Sequence, residues 1–195
     1  MTTRNVLITT GAAQIVFADH AGDFSPAGAN DLRQGGETDV QLQTASVADA
    51  AAVQSTKVDL GDPRPESFDV SGVLELAATP TAGETVDLYW APSPDPTAGD
   101  ANPGGVSGAD GAYTGSSSNL AASLKQLNFI GSLVVTEVET SEGVQIIAPG
   151  IVFFPSQRHG SLVLVDESGA AFHSDDVETH IVLTPSLIPD IQAEA

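Results

Sequence analysis

The sequence predicts an all-β protein: a jelly-roll-like β-sandwich with a long Gly/Pro-rich loop and an N-terminal hairpin or arm. Three observations point there. Apolar residues recur at every second position, short apolar runs are bounded by Gly and Pro, and helical spacing is almost absent. At the start, Val6, Leu7 and Ile8 face Ile15, Val16 and Phe17 across Gly11, which reads as a hairpin. Val40 and Leu42 alternate with Asp39, Gln41 and Gln43. From Ser67 to Leu76 the even positions are apolar or Gly, the pattern of a strand with one face on a core. Val86, Leu88 and Trp90 repeat it, as do the odd positions from Leu127 to Val135. Ile151–Phe154 and Leu162–Val165 are unbroken apolar runs, expected to be buried on both faces or to lie at a sheet or subunit contact. A last alternating strand, Val177 to Leu183, stops at Pro185. Two short turns have capping residues, Ser46 with Asp49 through Ala52, and Asn119 before Leu120–Lys125. Neither approaches the ~12 residues that make a helix credible from pattern alone.

The 195 residues and 19.9 kDa fit one compact domain. We expect an N-terminal hairpin or arm with an irregular segment over 1–36, a sandwich over 37–185 and a C-terminal tail over 186–195. Within the sandwich, residues 91–118 hold six Gly, four Pro and five Ser, the composition of a long loop.

Charge excludes several classes of function. Against 26 acids stand six bases, at positions 4, 33, 57, 64, 125 and 158, for a net charge of −20. No basic stripe can follow phosphates, so neither nucleic acid nor an anionic membrane surface is an expected partner. Residues 65–124 and 159–195 contain no base at all. No apolar run approaches the ~20 residues of a membrane span, and no signal peptide is expected. Without Cys there is no disulfide, thiolate ligand or thiol nucleophile.

The richest cluster of chemistry-bearing side chains is Phe172–His180. It holds His173, His180, Asp175, Asp176 and Glu178, raw material for a metal-dependent enzyme if His159 or His20 supplied a further ligand. The plainer reading is a polar turn followed by the solvent face of a strand. Asp95, Asp100, Asn102 and Asp110 offer oxygens to calcium, but the acidic residue that closes an EF-hand loop is missing. There is no G-x-S-x-G elbow, and Gly104-Gly105-Val106-Ser107-Gly108 has no Lys for a phosphate. Tyr89, Trp90 and Tyr113 could stack on a glycan in a carbohydrate-binding or fibre-like module, although Trp90 sits in the apolar register of a core residue. No catalytic constellation stands out, and no cofactor is expected.

The stretches TAGETVDLYWAPSP (81–94), NPGGVSGADGAYTG (102–115), SSNLAASLKQLNFIGSLVVT (117–136) and HGSLVLVDESGAAFHSDDVETHIVLTP (159–185) resemble structural proteins of tailed-bacteriophage virions. The resemblance is to capsid decoration, or cement, proteins and covers roughly residues 67–185. It implies a non-enzymatic protein on the outer surface of the capsid, a homotrimer, with the major capsid protein as partner. Irregular and terminal segments can follow another protein's contour. The expected capsid or subunit contacts are therefore Val6, Leu7, Ile8, Ile15, Val16 and Phe17, together with Pro103, Gly104, Gly105 and Tyr113.

Overall fold

The computed structural model describes residues 13–62, 64–136 and 143–186. Two β-sheets face each other. The first contains β1 (Ile15–Ala18), β2 (Thr38–Gln41), β5 (Phe68–Leu76), β9 (Gly143–Phe153) and β11 (His180–Pro185), in the order β2-β1-β11-β5-β9. The second contains β3 (Ala52–Gln54), β6 (Thr85–Ser93), β7 (Gly111–Ala112), β8 (Asn128–Val134) and β10 (His159–Glu167), in the order β7-β3-β10-β6-β8, with β4 (Val58–Asp59) beside β10. Every pairing is antiparallel except β1–β2. One short helix, α1 (Leu120–Leu124), is capped as the sequence predicts, with Asn119 Oδ1 accepting from the Ala122 N–H at 3.1 Å.

Period-two alternation puts one row of each strand between the sheets. Phe68, Val70, Leu74 and Leu76 of β5 meet Val86, Leu88 and Trp90 of β6 and Leu162 and Leu164 of β10, with Phe17, Leu133, Phe153 and Ile181 around them. Each large side chain fully removed from water contributes about 1.5–3 kcal/mol. Trp90 packs against Phe153 at 5.3 Å between centroids. A β-carbon on Gly160 would fall 2.3 Å from the Trp90 ring, so only Gly lets β10 pass over the indole.

Several strands are apolar on their outer faces too, and irregular chain covers them. On the second sheet, Val163 and Val165 of β10 and Ala91 of β6 pack under Val106, Tyr113 and Leu127. On the first, Val16, Ala18 and Val182 lie under Phe24 and Leu32. Gln14 Nε2 donates to the Leu32 carbonyl at 3.1 Å, and the Arg33 guanidinium sits 5.0 Å over the Phe24 ring. Residues 19–36 are therefore a cover for the first sheet and part of the sandwich.

Some elements differ from the sequence expectation. Ile15–Phe17 do form a strand, but β1 pairs with β2 and β11 inside the sheet; residues 6–8 lie outside the described residues. The Ser46–Ala52 turn is not helical, because its polar groups bond to other segments. The Ala50 N–H donates to the Asp166 carbonyl, and Asp49 Oδ1 accepts from the Gly169 N–H. Strands β3, β4 and β7 are too short for periodicity to announce. Pairing in the last strand begins at His180, because Val177 gives its carbonyl to the Ser25 N–H.

Asp166, at the end of β10, is fully buried. Its Oδ1 accepts from the Ser168 N–H at 3.0 Å, and its Oδ2 has no partner among the described residues. Burial raises its pKa from 3.8 to about 6. The folded chain thus holds this proton more tightly than the unfolded chain. The associated stability is complete below pH ~4 and is lost as pH rises to about 6, a change on the order of 3 kcal/mol. We expect Asp166→Asn to flatten the fall in melting temperature between pH 4 and 6.5. An unchanged slope in calorimetry would assign that pH dependence elsewhere.

Candidate interaction surface

The 91–118 loop is built around a cation. Lys57 precedes β4, and its Nζ donates to Ser93 Oγ at 2.9 Å and to the carbonyls of Asp95, Thr97 and Asp100 at 3.0, 2.6 and 2.8 Å. Burial lowers the Lys57 pKa, opposed by the charges of Asp95 and Asp100. The oxygens considered for calcium do not converge. Asp110 Oδ1 accepts from the Gln43 N–H, Asn102 Nδ2 donates to the Ala98 carbonyl, and Asp95 Oδ1 accepts from the Thr97 N–H. Carbonyls that could have faced a metal ion face an ammonium.

Beyond Asp100 the chain turns through Pro103–Gly105 and returns under its own apolar residues. Tyr113 is buried and donates its hydroxyl to the Gly104 carbonyl at 2.7 Å. Gly104 has φ 66°, and a β-carbon there would come within 3.0 Å of Leu127, Ser123 and Tyr113. Of the expected contact residues in this loop, Gly105 is exposed, Pro103 is half-buried, and Gly104 and Tyr113 are interior. Ile15, Val16 and Phe17 are interior as well; Val6, Leu7 and Ile8 lie outside the described residues. Trp90 is fully buried, which leaves Tyr89, tilted against Phe129 at 5.2 Å, as the outward aromatic of that pair.

The bare apolar side chains lie at the sheet edges, where β8 and β9 are the last strands of their sheets. Large hydrophobic side chains stand in water there: Phe154 is 67% exposed, Phe129 56%, Val134 and Ile146 50%, and Val152 46%. Ile151 packs against the core and Phe153 is buried, so the apolar run 151–154 faces solvent along one row. It is not buried on both faces. Val134, Val144, Ile146 and Ala148 line a shallow depression that joins the two edges. Thr136 clamps it, donating its N–H and hydroxyl to Gln145 Oε1 at 2.8 and 3.0 Å. Residues 126–136 and 143–157 contain no charged side chain, in a chain of net charge −20. Edge strands are ordinarily guarded by charge, whereas here Val134 of one edge and Ile146 of the other stand half exposed beside the same depression.

The histidines do not converge. His180 is buried, with the Leu32 N–H directed at Nε2 at 3.3 Å and Nδ1 2.7 Å from the Glu178 carbonyl. His20 stacks edge-on against Phe24, and His159 lies 3.7 Å from Asp59 on the second sheet. His173 is joined by Asp175 and by Glu75, a residue sequence spacing could not associate with it. No protein-family model matches the chain, and no curated protein matches it.

If Lys57 organises the loop, Lys57→Met should cost about 2 kcal/mol, the range for hydrogen bonds to a charged group. Amide exchange over residues 95–101 should accelerate, with the core strands still protected. Unchanged protection there would show that the ammonium does not hold the loop.

Proposed function

We propose that this chain is a non-enzymatic capsid decoration protein that binds the outer head shell of a tailed bacteriophage, stabilises it, and assembles as a trimer through the β8/β9 side. The observation that carries the reading is the exposed apolar side chains of two edge strands that carry no charge of their own, on an otherwise acidic molecule. Copies of net charge −20 repel one another. Close approach is least costly where neither copy carries charge, and there burial of Ile146, Val152, Phe154 and Phe129 supplies the attraction. Around a three-fold axis, one such surface per copy serves three equivalent contacts.

Two further features support it. The main strands follow the order β1-β11-β5-β9 opposite β3-β10-β6-β8, and successive strands of these eight cross between sheets except at the β6–β8 pair, as in two Greek keys. We read this as a jelly roll, an architecture of capsid and lectin domains. The motifs that resemble virion proteins span β6, the Lys57-centred loop, β8 and the β10–β11 region, all part of one packed unit. Contact with the major capsid protein is assigned to Pro103 and Gly105 and to the segment before residue 13, with the acidic faces turned to solvent.

Light scattering on the purified chain should give three times 19.9 kDa, and Ile146→Asp or Phe154→Asp should yield folded monomers. A monomeric parent would overturn the self-contact. Electron microscopy of virions should find hundreds of copies on the head shell; a few copies at a tail tip would overturn the decoration role.

A further inference from the structure

We infer that Glu75, His173 and Asp175 form a binding site for a divalent transition-metal ion of the zinc type, which fastens the β10–β11 connection to β5. This site is independent of the decoration role. His173 Nδ1 lies 3.2 Å from Asp175 Oδ1 and 3.9 Å from Glu75 Oε1, and all three ligand atoms fall within 4.8 Å of one another. Ligands at 2.0–2.2 Å from a tetrahedral ion stand about 3.4 Å apart, so small side-chain movements close the set around one ion. One imidazole and two carboxylates suit zinc better than calcium, which takes oxygen ligands alone.

The electronic arrangement favours a cation at that point. Both carboxylate oxygens stand on the Nδ1 side of the His173 ring, and the Asp175 N–H reaches that nitrogen only at 3.4 Å, a long contact that a bound ion would replace. Glu75 is only 8% exposed. Burial raises its pKa, and the charges of Asp175 and Glu178 add to that, opposed by the Glu178 N–H and by His173. A second carboxylate cluster, Asp19 with Asp23 and Asp176, has no imidazole. Its two buried members are already engaged, Asp176 by the Thr44 and Ala45 N–H groups and Asp19 by the Gln41 side-chain amide.

The ligands are held before any ion arrives. The His173 N–H donates to the Glu75 carbonyl at 3.0 Å, and the Glu75 N–H donates to Thr179 Oγ1 at 3.1 Å. A bridge between Leu76 and Phe172 fixes the register of the two segments. His173 is also tied to the first turn of the chain after β2, through its carbonyl and the Ser46 N–H at 2.8 Å. Sites on backbone fixed in this way lose little entropy on binding. Asp175, nearly half exposed, leaves the ion open to water on one side.

The test is calorimetric titration of the full chain, freed of metal by chelator, with ZnCl2 and in parallel with CaCl2. We expect one equivalent of Zn2+ to bind, no competition from Ca2+, and at least tenfold weaker binding in both Glu75→Gln and His173→Ala. Asp176→Asn should bind as the parent does. A nitrogen spectrum of the histidine rings in the unsubstituted chain supplies a readout that needs no variant: Zn2+ should shift the Nδ1 resonance of His173. The inference is overturned by absence of saturable Zn2+ binding, by undiminished binding in the two ligand variants, or by a shift confined to His20 or His159.

Discussion

The structure depends on one constraint: several of its strands are apolar on both faces. A two-sheet sandwich buries only the inward row, so Val163 and Val165 on one sheet and Val16 and Val182 on the other would be left in water. The irregular segments meet that requirement. Residues 19–36 bring Phe24 and Leu32 over the first sheet, and the 91–127 region brings Val106, Tyr113 and Leu127 over the second. Such segments have little secondary structure of their own and rely on specific polar anchors. Gln14 holds one at Leu32, and the Lys57 ammonium gathers the start of the other. Gly and Pro serve there to let backbone lie close against a sheet.

Once both outer faces are covered by the chain's own loops, the uncovered apolar surface at β8 and β9 gains meaning. Its side chains project from terminal strands of both sheets, and two of them, Val134 and Ile146, meet at the shallow depression. The chain contains enough acid to guard these edges and places none within β8 or β9. In the proposed assembly, the acidic remainder keeps particles apart in solution, and the neutral side is the route by which copies approach. The same loops that close the fold thereby leave these edge-strand side chains as its exposed large hydrophobics among the described residues.

The long strands were legible in the sequence because alternation over seven or more residues fits little except a strand with one buried face. β5, β6 and β8 fall close to where Phe68, Trp90 and Leu133 place them. β3 and β7 were not, since three or two residues carry no period. The run Ile151–Phe154 shows the limit of composition: four apolar residues read alike whether the strand is central or terminal, and only sheet order separates the cases. The histidines show the same limit. Closeness in sequence grouped His173 with His180, whereas strand alternation and the turn between them send His180 under Leu32 and His173 toward Glu75.

By itself, the sequence determined the all-β class, the inward rows and the charge imbalance, because these follow from local periodicity and from counting. Tertiary structure decided which irregular segments became covers, which apolar edge stayed bare, and which acid from a distant strand met His173. Those outcomes turn on pairings between residues some hundred positions apart, such as Glu75 with His173, which no local pattern encodes.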